Sequence, residues 1–153
     1  MLLWLRPAPA IDPVVDPVID RRATRKGGEE AVILVQRDGD VWVLEHGSQL
    51  HPGDRLQVKV ESSRPRYVAL YAKDGAGVVS RYAPTAPEMT LVLPGQGGML
   101  PNSTVLDDVL GQEALALFTC ERAQPDETLR AHVERGELAG CKVARYPLAK
   151  VAR

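Results

Sequence analysis

His46, Ser48, His51 and Asp54 crowd into one short stretch, and an imidazole, a hydroxyl and a carboxylate are the working parts of a nucleophilic hydrolase. The stretch holds no G-x-S-x-G motif, and Pro52-Gly53 marks it as a turn, so a triad arises there only if folding brings the three groups into hydrogen-bond reach. Asp107, Asp108 and Glu113 form a second set, whose oxygens suit a hard cation. They lack the D-x-D-x-D-G order of a calcium loop, and solvated turn carboxylates are the expectation. Gly95-Gln96-Gly97-Gly98 lacks the G-K-[ST] ending of a phosphate loop and reads as a connection. Asn102-Ser103-Thr104 is formally a glycosylation acceptor and reads as a turn. His46, His51 and His132 are scattered, without H-x-x-x-H or H-E-x-x-H spacing, so neither a metal nor a cofactor is expected.

Cys120 and Cys141 are too far apart in the chain for a C-x-x-C pattern. They read either as a disulfide, worth about 3 kcal/mol for a loop of that length, or as two buried free thiols. The tyrosines supply a different kind of surface. Tyr67 and Tyr71 lie four residues apart on one expected strand, roughly 13 Å by strand rise. If Asp74-Gly75-Ala76-Gly77 is the whole loop of a regular hairpin, Tyr71 pairs with Ser80 and Ala69 with Tyr82, which sets Tyr67, Tyr71 and Tyr82 on one face. Such an aromatic platform binds proteins or sugars because large apolar area comes with little rotamer entropy. The competing expectation is that the rings are core.

The elements that must hold these groups follow from the surrounding pattern. The 153 residues fit one domain, and Lys+Arg 19 against Asp+Glu 20 leaves a net charge of −1, with no strongly basic surface to draw the chain onto nucleic acid. Hydrophobic residues make up 44%, and no apolar run approaches the roughly 20 residues of a membrane span. Pro7, Pro9, Pro13 and Pro17, then Arg21-Arg22 and Arg25-Lys26-Gly27-Gly28, make residues 1–30 a Pro-rich, basic linker. Met1-Leu2-Leu3-Trp4-Leu5-Arg6 reads as the end of an upstream membrane helix if the gene product is longer; no ordinary signal peptide is visible. From Ala31 the texture changes to short runs of Val, Leu, Ile and Tyr separated by turns. Arg37-Asp38-Gly39-Asp40 turns one strand into the next, and Leu56, Val58 and Val60 alternate with Gln57, Lys59 and Glu61. Ala114 to Cys120 reads as an interior strand, with helix as the alternative. Asp126 reads as the N-cap of a helix to about Arg135, with Leu129 and Val133 inward and Gly136 at its end. Lys142 to Tyr146 reads as a last strand. The expected fold is mainly β, a two-layer antiparallel sandwich over residues 31–153 with one C-terminal helix.

The order of these signals also has a likeness. Leu50-x-Pro52-Gly53-Asp54-Arg55-Leu56, then Arg66-Tyr67-Val68-Ala69-Leu70 running into Asp74-x-x-Gly77-Val78-Val79-x-x-Tyr82-x-Pro84, then Leu100-Pro101-x-Ser103 and Gly111-x-Glu113 before Leu115-Ala-Leu-Phe-Thr, resembles the domain of unknown function 4384 family. The likeness covers roughly Val32 to Glu121. It implies a bacterial accessory or sensor-like module found beside kinases, caspase-like peptidases or anti-sigma-type proteins, often beyond a membrane helix. It implies no catalytic residue. The expected function is therefore a non-enzymatic binding or sensor-like module for a protein partner or small ligand. The alternatives are a small serine hydrolase built on Ser48, or a self-associating structural subunit. The expected compartment is periplasmic or extracytoplasmic if an upstream helix tethers the chain, and cytoplasmic otherwise.

Overall fold

The structure, a computed structural model, describes residues 29–95, 98–100 and 104–153. The Pro-rich linker up to Gly28, Gln96-Gly97 and Asn102-Ser103 lie outside the described residues. The fold is mainly β, with two sheets, one of them curled into a half-barrel, and a single short helix among the described residues.

The first element among the described residues is β1 (Glu29–Arg37), which starts two residues before the expected start of the domain, and β2 (Asp40–Val43) follows. The turn between them puts both Asp38 (φ 51°) and Gly39 (φ 89°) in the left-handed region, the geometry that matches the twist of a tight hairpin. A two-residue β3 (Gln49–Leu50) precedes β4 (Arg55–Ser62), whose Leu56, Val58 and Val60 are buried while the residues between them meet solvent. Then come β5 (Arg66–Asp74), β6 (Val79–Ala83), β7 (Thr90–Val92) and a short β8 (Thr104–Val105). The expected interior strand is β9 (Gly111–Cys120); α1 (Asp126–Ala131) and β10 (Cys141–Lys150) complete the chain. The Ala-rich run is strand, not helix, because it is the central member of a sheet with a partner along each edge.

The larger sheet runs β3-β10-β9-β5-β6, with β7 also paired to β5; the smaller runs β2-β1-β4-β8. Every pairing is antiparallel except the two-residue contact of β3 with β10. The main core lies between the sheets, with Ile33, Val35, Val58 and Val60 facing Val68, Leu70, Leu115 and Leu117. A second core lies on the far side of the larger sheet, where Tyr71, Ala116, Phe118 and Cys120 meet Leu129 and Val133. Gly98 closes one seam: its carbonyl accepts the Val60 N–H at 2.7 Å, and a Cβ there would sit 1.9 Å from the Val60 carbonyl oxygen. Only a residue without a side chain can approach that strand so closely.

The helix is shorter than expected. It ends at Ala131 and a turn carries the chain on to Arg135, although Leu129 and Val133 both point inward and are buried. Asp126 does not cap it: Pro125 takes the N-cap position without a side-chain bond, and the Asp126 carboxylate turns to the sheet. The expected last strand follows the helix. β10 follows and runs on through Pro147, four residues past the expected strand. A proline is tolerated there because, among the described residues, β10 has no ladder partner on its outer side until β3 meets it at Ala149.

Candidate functional site

The residues of the expected triad are distributed among separate structural duties. The Ser48 hydroxyl donates to the Glu45 carbonyl at 2.6 Å and accepts the Glu45 N–H, which makes it the closing bond of a tight turn. His51 Nδ1 is bonded to the Val151 carbonyl at 2.9 Å, and His46 packs edge-on against Tyr146. Asp54 is fully buried and accepts a bidentate pair from Arg37 Nε and Nη2, both at 2.8 Å, together with the His51 N–H. Arg37 in turn lies over the Trp42 ring. No hydrogen bond among the described residues joins Ser48 to either histidine, or the His51 ring to Asp54. Asp54 fastens the Pro52-Gly53 turn to β1.

Burial pushes the Asp54 carboxyl up, but the Arg37 hydrogen bonds and the His51 N–H outweigh it and hold the group below its ordinary range. An acid whose pKa is lowered in the folded state contributes stability above its unfolded value near 4 and loses it as pH falls through the folded value. Asp54→Asn is therefore expected to cost about 2 kcal/mol at pH 7, the scale of a charge-assisted pair, with the gap to the natural chain narrowing below pH 4. Urea denaturation at pH 7 and pH 3 measures it; an unchanged gap would show that the charge contributes nothing.

Asp107, Asp108 and Glu113 do not gather around a vacant cation site. Lys150, only 3% exposed, places its ammonium against Asp107 and 4.0 Å from Glu113 Oε2, so a side-chain cation already serves both carboxylates. The Tyr82 hydroxyl donates to the same Oε2 at 3.0 Å, and Asp108 is exposed. Burial pushes the Glu113 carboxyl up, while the Lys150 bond holds Asp107 down. No group of three or more His, Cys, Asp or Glu able to hold a metal occurs among the described residues.

The tyrosine platform is corrected by one residue of register. The hairpin between β5 and β6 closes at Asp74, whose N–H donates to the Val78 carbonyl at 3.0 Å, so its loop is three residues long, Gly75 to Gly77. Gly77 at φ 88° is the left-handed third residue that such a loop requires, and the Asp74 carboxylate accepts the Ala76 and Val78 N–H groups. Tyr71 consequently pairs with Arg81, not Ser80, and a bulge between Leu70 and Tyr71 shifts the ladder again. A slip of one residue exchanges the faces. Tyr67 and Tyr71 remain on the helix side, while Tyr82 turns into the core between the sheets. Tyr71 is fully buried, edge-on to Phe118 with ring centres 5.8 Å apart.

Sequence reasoning missed what Tyr71 does. Its hydroxyl donates to Asp126 Oδ1 at 2.6 Å; Arg81 Nη1 reaches the same oxygen at 2.7 Å, and Arg130 Nε reaches Oδ2 at 2.7 Å. Arg130 also lies over the Tyr71 ring and donates to the Val79 carbonyl. These bonds hold the Asp126 carboxyl below its usual range, while burial and then the Asp126 bond push the Tyr71 hydroxyl up to about 12. One carboxylate thus docks α1 on the sheet. Cys120 and Cys141 face each other as ladder partners at the base of the same excursion, and their sulfurs are bonded.

One open site on this face is a groove beside the helix, about 480 Å³, lined among others by Lys73, Ala114, Glu134, Arg145 and Pro147. Its origin is the register: Ala114 of β9 lies between Lys73 of β5 and Pro147 of β10, and Ala116 between Tyr71 and Arg145. Two small residues flanked by long ones make a channel, which the helix covers over Ala116 and leaves open over Ala114. The alanines that make the segment ambiguous between strand and helix were the available signal. No family model, curated protein or solved structure matches this chain. No helix among the described residues is long and apolar enough to cross a membrane.

Proposed function

We propose that this chain is a non-enzymatic binding or sensor-like module of a bacterial signalling or envelope system, and that it contacts its ligand or partner through the helix side of the larger sheet. The observation that carries this reading is the fate of the reactive groups. Ser48, His51 and Asp54 each spend their hydrogen bonds on the scaffold, which leaves no activated nucleophile in that loop. Further support is the groove over Ala114, an open concavity with charged walls of the kind that recognises without reacting. The likeness to the domain of unknown function 4384 family points the same way. A disulfide between Cys120 and Cys141 fits an oxidising compartment, hence placement in the periplasm or outside the cell.

The test is a serine-reactive fluorophosphonate probe applied to the full chain, followed by peptide mapping. The expected result is no label at Ser48 under conditions that label a control esterase to completion. Stoichiometric labelling at Ser48 that His51→Ala abolishes would replace the module with a hydrolase.

A further inference from the structure

Burying an ammonium costs free energy that only close partners offset, yet Lys150, the last residue of β10, is almost wholly buried. The ladder decides its company. Gly111 of β9 lies opposite Lys150 and Glu113 opposite Leu148, so Glu113 and Lys150 are diagonal neighbours on the face that meets the main core. Glu113 Oε2 is 4.0 Å from Lys150 Nζ, about 1 Å beyond hydrogen-bond reach. Asp107 arrives from the other sheet. It stands two residues past β8, at the start of the loop that crosses to β9, and its Oδ1 is in contact with Lys150 Nζ. The main chain fixes it there: the Leu106 N–H donates to the Asp54 carbonyl and the Leu106 carbonyl accepts the Gly53 N–H, both at 2.9 Å, while the Val109 N–H donates to Asp107 Oδ1 at 3.1 Å.

An amine held against a carboxyl, with a second buried carboxyl beside them, has the parts of an amide condensation. We propose that Lys150 and Asp107 condense into an isopeptide bond that joins the two sheets, with Glu113 as the proton relay. The ammonium gives one proton to Glu113, and the freed Nζ attacks Asp107 Cγ, while the Val109 N–H stabilises the charge that develops on Oδ1. The Nζ–Cγ bond forms and the bond from Cγ to the other carboxylate oxygen breaks. That oxygen leaves as water with two of the three ammonium hydrogens, one of them returned by Glu113, and the third stays as the amide N–H. No oxidant or co-reactant enters. Glu113 suits the relay: burial pushes its carboxyl up, Oε2 accepts the Tyr82 hydroxyl, and Oε1 is buried with no hydrogen-bond partner. Water disfavours such a condensation between separate molecules, but groups fixed in one fold react at effective molarities of about 10⁵ M or more. The product also removes the buried charge. Asp107 is the exposed member of the three, which gives the released water a way out.

The experiment is mass spectrometry of the full chain, folded and aged, then reduced and denatured so that the disulfide no longer affects the mass. The expected result is a mass lower than that of the sequence by one water, with a branched tryptic peptide that joins Asp107 to Lys150. Asp107→Ala, at an exposed position where the fold tolerates it, is expected to keep its full mass. Glu113→Gln is expected to slow the loss of water about a hundredfold, the scale of a lost general acid–base. If Glu113→Gln does not fold, Tyr82→Phe, which takes away the hydroxyl on Oε2 and keeps the ring, is the second variant and is expected to change the rate by at least threefold. A natural chain that stays at its full mass would overturn the proposal. So would a water deficit that persists in Lys150→Met, because it would place the loss in a cyclic imide at Asp107-Asp108. Formation of the bond in Glu113→Gln at the natural rate would remove Glu113 as the relay.

Discussion

Replacing Tyr71 by alanine is expected to cost the fold about 4 kcal/mol, the range for removing a fully buried aromatic ring. The ring fills the second core beside Phe118, over the small side chains of Ala69 and Ala116. A second loss adds to the first: Asp126 forfeits its shortest hydrogen bond, and Arg130 forfeits the ring beneath it. The Tyr71→Phe variant separates the two. It keeps the ring and is expected to cost about 1.5 kcal/mol, since Arg81 and Arg130 still hold the carboxylate. Urea denaturation of both variants measures the difference. A Tyr71→Ala protein within about 1 kcal/mol of the natural chain would mean that the ring is not core and would restore the binding-surface reading of this residue.

How that role could be overlooked says what a sequence conveys about such a molecule. Alternation in β4, the Asp38-Gly39 turn and the Pro52-Gly53 turn are local, set by neighbours in the chain, and each is legible without the fold. The face of Tyr82 is not local. It depends on whether Asp74 belongs to the loop or to the ladder, a choice made by one hydrogen bond to Val78, and on a bulge at Leu70/Tyr71 that leaves no mark in residue type. The docking of α1 is harder still, because Asp126 meets Tyr71 and Arg81 across 55 and 45 residues of chain. An acidic residue after a proline looks like a helix cap, and the cap signal conceals its use as an ionic anchor. Asp54 is the mirror case. Its closeness to Ser48 and His51 in the chain suggests chemistry, whereas its partner, Arg37, lies at the end of β1 and makes it structural.

Breaking the bond between Cys120 and Cys141 is expected to destabilise the chain by about 3 kcal/mol, equivalent to about 10 °C in Tm, while leaving the native fold in place. The two residues are already ladder partners at the ends of β9 and β10, and the Glu121 N–H donates to the Gly140 carbonyl just beyond them. The native geometry therefore does not need the covalent link, and the effect falls on the unfolded chain, which regains the freedom of a segment spanning 21 positions. That segment carries α1 and Glu134 and is held at its tip by Asp126. The link at its base and the anchor at its tip act on different states, one on the unfolded ensemble and one on the native contact. Their losses should accordingly add. Cys120→Ala/Cys141→Ala combined with Tyr71→Phe is expected to lose about 4.5 kcal/mol, the sum of the separate costs, within about 0.5 kcal/mol. A larger combined loss, with fast hydrogen exchange confined to residues 121–140, would instead show that the disulfide holds the helix on the sheet in the native state and that reduction releases it.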